Sequence, residues 1–256
     1  MKVSDLNTTV RKYWERRACG AEEVVVKDAA PMSREWFERV ENYRYCKEPF
    51  IHSVTQFTRY RGKKILEVGV GAGTDHLQWA RAGAECYGVD LTDEAIAETR
   101  SHLNLYGLKS NLQRIDAEQL PYPDNSFDVV YSWGVIHHSE HPELIIKEIY
   151  RVLKPGGQFI GMMYGRHSVV TLQLWLRHGL LKGRPFQSLA KIVWHHMESL
   201  GTKSYTRKEL NKLFSSFSNS LIEPIITPYD RAGLPRFMTR WFPNDWGFFM
   251  AIRATK

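Results

Sequence analysis

The sequence predicts a doubly wound α/β fold built on a mostly parallel sheet. Three observations carry that expectation. From residue 64 onward, short apolar runs alternate with longer amphipathic ones. A glycine-rich turn directly follows the first apolar run. The runs are also spaced widely enough for crossover helices, which parallel strands need and which cover both sheet faces.

The elements follow in order. Residues 1–60 are polar, aromatic and helical in pattern, with Trp36, Phe37, Val40, Tyr43 and Tyr45 at roughly helical spacing before the break at Pro49. KILEVGV is the first strand, and Asp75 to Ala82 reads as a helix that Thr74 or Asp75 can cap. ECYGVD is the second strand, followed by the helix DEAIAETRSHLNLYG, closed by Gly107. NLQRI and SFDVVYSW are the third and fourth strands, HPELIIKEIYRVL a third helix and GGQFIGMMY the fifth strand. An insertion at 166–204 holds VVTLQLWLRHGLL and LAKIVWHHMESL; Val169, Leu172, Leu176 and Leu180 fall on one helical face with Trp175 beside it. Thr206-x-x-Glu209 is a capping pattern for the next helix, and LIEPIIT and WGFFMAIRA form a last antiparallel pair that completes seven strands. The expected division is a helical cap (1–60), a ligand-binding core (61–165), a helical lid (166–204) and a C-terminal helix with two strands (205–256).

Composition excludes several classes. Hydrophobic residues at 43% and charged residues at 25% are ordinary for a globular chain. No apolar run approaches the roughly 20 residues that span a bilayer, and the polar, basic start lacks the apolar stretch of a secretory signal. Cys19, Cys46 and Cys86 are far apart and read as free thiols, so a cytoplasmic location is expected. The net charge of +7 attracts phosphates in general, but the basic residues are dispersed, and Arg59, Arg61, Lys63 and Lys64 read as a solvated strand edge. The C-terminal Arg236, Arg240, Trp241 and Trp246 are ambiguous. Acidic residues and histidines do not cluster at metal-ligand spacing, so no metal is expected; His195 and His196 are adjacent and point to different helix faces.

Ligands of such sheets bind at the carboxyl ends of the strands, and the informative residues fall there. Gly69, Gly71 and Gly73 in EVGVGAGT let the backbone turn and approach a ligand closely. Asp90 ends the second strand where an acid meets ribose hydroxyls in dinucleotide folds. The loop fits the nicotinamide fingerprint G-x-G-x-x-G poorly, because Thr74 follows the third glycine directly.

The rest of the constellation resembles class I S-adenosylmethionine-dependent methyltransferases, in particular the type 11 methyltransferase domain. ILEVGVGAGTDHLQWARAGAECYGVDLTDEAI resembles the first two family motifs, IDAEQLPYPDNSFDVVYSWGVIHH the third and fourth, and RVLKPGGQFIGMMY the fifth-strand segment. The resemblance implies a Rossmann-like methyltransferase fold and S-adenosyl-L-methionine as cofactor. It also implies roles. Glu67 would meet the methionine ammonium, or else cap the glycine loop. Gly69, Gly71 and Gly73 would pass under methionine and ribose, Asp90 would accept from ribose and Leu91 would pack on adenine. Asp116 would accept from the adenine amino group, or cap a helix ahead of Glu118, and the Ala117 amide would donate to a ring nitrogen. Ser132 and Trp133 would border the sulfonium; Trp133 is equally read as pocket wall or core.

Enzymes that methylate exocyclic amines of bases carry an acid or amide, Pro-Pro and an aromatic after the fourth strand. Ser132-Trp133-Gly134-Val135 departs from that pattern, so a small-molecule acceptor of natural-product, quinone or phenol type is expected, and nucleic acid is not. His137 and His138 would open the helix after that strand beside the transferring methyl, with His138 the better candidate base. Paired histidines there recur in family members with different acceptors, which equally fits a packing role. An RNA methyltransferase and an inactive cofactor- or partner-binding protein are the alternatives; acceptor and oligomeric state are open.

Overall fold

The computed structural model of the protein describes residues 6–16, 23–232, 243 and 245–256. Cys19, Arg236, Arg240 and Trp241 lie outside the described residues. Seven strands form one sheet: β1 (Lys64–Val68), β2 (Glu85–Asp90), β3 (Asn111–Arg114), β4 (Phe127–Trp133), β5 (Leu153–Tyr164), β6 (Asn219–Ile225) and β7 (Phe249–Thr255). Their spatial order is β3-β2-β1-β4-β5-β7-β6, with β7 antiparallel to both neighbours and the other pairings parallel. The chain steps outward from β1 to β3 and then returns to β4. That reversal opens a crevice between β1 and β4 at the carboxyl ends of the strands.

The described helices are α1 (Leu6–Trp14), α2 (Glu23–Val26), α3 (Arg34–Lys47), α4 (Ile51–Thr55), α5 (Thr74–Arg81) and α6 (Asp93–Asn104). They continue with α7 (Pro142–Val152), α8 (Val169–His178), α9 (Leu189–His196), α10 (Arg207–Leu213) and α11 (Pro228–Arg231). Neighbouring strand residues feed opposite faces of the sheet. Leu66, Val130 and Phe159 join one buried cluster with Ile145, Ile149 and Val152 of α7. Ile65, Val129 and Ile160 join the other with Leu77 and Trp79 of α5. A strand apolar on both faces is what a helix-sandwiched parallel sheet requires.

Local rules explain the boundaries. Pro142 starts α7, where a missing amide hydrogen costs nothing. Thr206 and Glu209 form the expected reciprocal cap of α10, and Ser168 and Ser188 cap α8 and α9.

Four local features depart from sequence expectation. α5 is entered from Gly73 with no side-chain cap, because Asp75 is committed to other partners. β5 starts at Leu153, three residues before Gly156, since its pairing with β4 shifts register between Phe127 and Val129 and so takes up the Lys-Pro-Gly-Gly segment. His137 and His138 form a single 3-10 turn (Ile136–His138), and α7 begins only at Pro142, so no helix N-terminus acts on them. The apolar face expected along α8 is buried at Val169 but exposed at Leu176 and Leu180, because α8 packs chiefly on α9 and the turn between them.

Candidate active site

One pocket lies along the crevice, from the ends of β2 and β3 to the ends of β4, β5 and β7. Together with its open mouth it spans roughly 1390 Å³ of empty space.

The glycine loop forms its floor. The Gly69 amide donates to Val89 O (2.7 Å), and the Gly71 amide donates to Asp90 Oδ2 (3.2 Å). Asp90 Oδ1 accepts from the Thr92 amide (3.0 Å) and hydroxyl (2.9 Å). Burial raises the Asp90 pKa, and these bonds to Thr92 and Gly71 work against that rise. They also fix the carboxylate at the pocket, where its remaining lone pairs are free to accept from a diol.

Leu91, Ala117 and Asp116 line the pocket past the ends of β2 and β3. Asp116 caps no helix: its Oδ1 accepts from the Glu118 amide (3.0 Å) in a turn, and its Oδ2 accepts from Asn7 Nδ2 of α1 (3.0 Å).

Glu67 reaches the pocket floor from β1 and is almost wholly buried. Its Oε2 lies 2.9 Å from His76 Nδ1 on α5. The other ring nitrogen, Nε2, lies 2.8 Å from Ser110 Oγ, whose single hydrogen goes to Cys86 O (2.8 Å). Ser110 therefore accepts from Nε2–H, which leaves Nδ1 as the acceptor of a neutral ring. The short contact to Glu67 then needs the carboxyl to carry the proton. The electrostatics agree. Burial pushes Glu67 well above the usual carboxylate range, with Asp75 adding to the rise and Arg44 opposing it, and burial pushes His76 down to about 4. Gly88 makes room for the ring, since a Cβ there would stand 3.0 Å from His76 Cε1.

A buried polar network joins the helical cap to the core. Asp75 accepts from Arg44 Nη2 (2.7 Å), Tyr45 Oη (2.9 Å) and Tyr131 Oη (2.8 Å). Trp133 Nε1 donates to Glu48 Oε2 (2.8 Å), and Arg44 stands 3.4 Å from the same carboxylate's other oxygen. Trp133 is thus a wall of the pocket, its ring held by that bond. With Met162, Tyr164 and Phe249 it makes an apolar end beyond β4, away from Asp90 and Asp116.

His138 lines this end. Nδ1 lies 3.0 Å from both Ser199 Oγ and Thr202 Oγ1, and Thr202 gives its own hydrogen to a backbone carbonyl, that of Ser199 (2.6 Å) or Met197 (3.2 Å). Thr202 can thus only accept from Nδ1, whereas Ser199 can bond it in either sense. Nε2 makes no well-aligned hydrogen bond among the described residues and stands 3.3 Å from Glu198 Oε2, an ion-pair contact when the ring is protonated. Burial raises the Glu198 pKa, but His138 and Tyr164 outweigh it and hold the carboxylate below its ordinary range. Trp14 of α1 packs edge-on to the His138 ring at 5.2 Å.

Three residues singled out from the sequence stand apart from the pocket. Ser132 is fully buried and donates to Val68 O (3.0 Å), tying β4 to β1. Gly73 is packed against Thr99, where a Cβ would approach to 2.9 Å. His137 is buried against Tyr164 (ring centroids 3.8 Å), and burial, with His138 and Lys203 beside it, depresses its pKa well below the ordinary value. Conversely, Asn7, Trp14, Glu48, His76, Tyr164, Glu198 and Phe249 escaped the sequence reading. They come from separated segments, and only His76, one turn after the glycine loop, carried a local signal as a histidine on an apolar helix face.

Comparison with known proteins agrees with this construction. Residues 66–161 match the family described as methyltransferase domain. The uncharacterized methyltransferase YcgJ of Bacillus subtilis is 35% identical over 98 residues, covering 38% of this chain and 39% of that protein. The ubiquinone biosynthesis O-methyltransferase of Idiomarina loihiensis is 32% identical over 157 residues, covering 59% of this chain and 63% of the relative. The matches thus span less than two thirds of these curated relatives. The crystal structure of an S-adenosylmethionine-dependent methyltransferase from Mesorhizobium loti shares the fold, with a TM-score of 0.57 at 21% identity over 77% of this chain and 92% of the other. Residues 66–161 thus form a methyltransferase domain, of the kind found in S-adenosylmethionine-dependent methyltransferases. The lining is chemically compatible with that cofactor: Asp90, Asp116 and Glu67 offer carboxyl groups, and the glycine loop backbone amides, along one crevice.

Proposed function

We propose that this protein methylates a small, largely apolar acceptor of quinol, phenol or natural-product type, with His138 as the base. The observation that carries the reading is one continuous pocket that joins the Asp90–Asp116 end to an apolar end bearing His138, whose Nε2 faces Glu198 at 3.3 Å. S-adenosylmethionine, when bound, supplies a methyl group activated by a positively charged sulfur. Glu67, Asp90, Asp116 and the Gly69–Gly71 backbone hold the cofactor and fix its orientation. Positioning of this kind is worth up to ~7–11 kcal/mol of the barrier.

Trp133, Met162, Tyr164 and Phe249 exclude water from the acceptor, and Trp133 presents a π-face to positive charge. His138 Nε2 removes the acceptor's proton, and the imidazolium so formed is stabilised by Glu198 at 3.3 Å. His137, with its depressed pKa, stays neutral and supports the wall.

The test is transfer of labelled methyl from S-adenosylmethionine to quinols, phenols, polyketide aglycones, amines and tRNA. Turnover is expected with a hydrophobic hydroxyl-bearing acceptor. His138→Gln should then lower kcat by about 10²–10⁴ and leave cofactor affinity within a few-fold. Tight cofactor binding with no transfer to any acceptor would point to a non-catalytic role, and labelling confined to tRNA would overturn the choice of substrate class.

A further inference from the structure

We infer that the α8–α9 hairpin is a docking surface for an anionic lipid bilayer. Its tip exposes large apolar side chains that no described residue covers. Leu181 is 79% exposed and Phe186 99% exposed, and Leu176 and Leu180 beside them are 40% and 44% exposed. Single exposed leucines are ordinary on protein surfaces, but a run of aliphatic and aromatic side chains on one protrusion is not.

The tip is a shaped structure that holds these groups outward. The Gly179, Lys182, Arg184 and Gln187 amides each donate to a carbonyl within the turn, and Trp175 Nε1 donates to Pro185 O (3.2 Å), immediately before Phe186. α8 and α9 lean mainly on each other, so this face is not turned toward the sheet.

Charge selects the partner. From Arg166 to Met197 the sequence contains no aspartate or glutamate. Arg177, Lys182, Arg184 and Lys191 surround the apolar tip, all exposed and none in an ion pair among the described residues. Elsewhere on the surface, arginines are commonly paired with acids, as Arg11, Arg39, Arg81 and Arg151 are. Unpaired cations around projecting Leu and Phe match a lipid interface, where apolar groups enter the acyl boundary and cations meet anionic headgroups. A nucleic acid would engage the cations but offer nothing to aliphatic side chains such as Leu181. The docking surface also adjoins the pocket: the chain runs directly from α9 into Glu198, Ser199 and Thr202, which contact His138. Engagement of the hairpin would therefore bear on the wall beside the proposed base.

The experiment is co-sedimentation of the full chain with phosphatidylcholine vesicles prepared with and without phosphatidylglycerol, at low and high salt. Binding is expected to the anionic vesicles, to weaken as salt rises and to be poor on phosphatidylcholine alone. The double substitution Leu181→Ser with Phe186→Ser should reduce the bound fraction at least about ten-fold. Replacing Arg177, Lys182, Arg184 and Lys191 by glutamine should do the same. Both variants alter exposed positions, so unchanged melting temperature and unchanged S-adenosylhomocysteine affinity verify their folding and leave the methyl-transfer reading untouched. Three results would overturn the inference. One is wild-type protein that stays in the supernatant with anionic vesicles. The second is self-association that the serine pair abolishes, which would seat a second copy on the patch. The third is tRNA binding that needs the cations and ignores the serine pair.

Discussion

The proton between Glu67 and His76 is the residue-scale feature with the clearest consequence. A neutral Glu67 cannot pair with an ammonium, so a cofactor amino group there requires that proton to move. His76 Nδ1, 2.9 Å away, receives it without its leaving the protein, and the resulting imidazolium lies between Glu67 and Ser110. Asp75 and Asp90 hold Glu67 up and Arg44 opposes them, while the raised Cys86 thiol stays neutral. His76→Leu removes the acceptor, so binding must then expel the Glu67 proton to solvent. Deprotonation is favoured as pH rises. The variant should therefore bind S-adenosylhomocysteine more weakly at acid pH and recover as pH rises, with a smaller change in wild type. Calorimetry in buffers of different ionisation enthalpy reads the proton directly. A pH-independent variant with wild-type affinity would show that Glu67 is already ionised in the free protein.

At the scale of elements, the turn between β1 and α5 is fixed by what surrounds each glycine. A Cβ on Gly69 would lie 2.2 Å from Val135 Cγ2, in the turn after β4, at a backbone φ of +83°. At Gly71, φ is +52° and nothing lies within 4 Å of the same atom. Gly71→Ala thus carries conformational strain alone, about 1–2 kcal/mol, whereas Gly69→Ala adds a clash that must separate β1 from the β4 turn. Chemical denaturation should rank Gly69→Ala clearly the less stable, with cofactor affinity lost in proportion. Equal losses would mean that the Val135 turn yields freely.

The helical cap differs from one helix to the next. α3 is fastened by Asp75 and Arg44 and by the buried Trp36, Phe37 and Val40 against Ala72. Removing one partner of a buried ion pair of this kind costs about 3–5 kcal/mol, so α3 is scaffold. α1 reaches the pocket through a few polar and aromatic contacts.

For the whole molecule, those contacts place α1 across the pocket. Asn7 donates to Asp116 and to Glu118 (2.8 Å) and accepts from the Glu140 amide (2.8 Å), while Trp14 touches His138. One short helix therefore bridges the Asp116 end of the pocket and the proposed base. Hydrogen exchange across residues 6–16 should slow when S-adenosylhomocysteine binds, while residues 34–47 stay as protected as before. The same protection of 6–16 with and without ligand would make α1 a fixed wall.

The order of strands and helices, the glycine turn, the acid ending β2 and the acid following β3 were legible in the sequence because each is a local pattern. Strand periodicity, turn chemistry and a motif's spacing all act within a few residues of chain. Tertiary structure alone decided the rest. Glu198 joins His138 across a gap of sixty residues, Trp14 and Asn7 arrive from the N-terminus, and Phe249 is brought in by an antiparallel strand. The strand end that held Ser132 as a ligand candidate turned its hydroxyl to Val68 O because β4 neighbours β1. Side-chain direction, burial and the ownership of a proton depend on what packs from other segments, and the chain's local pattern holds no record of that.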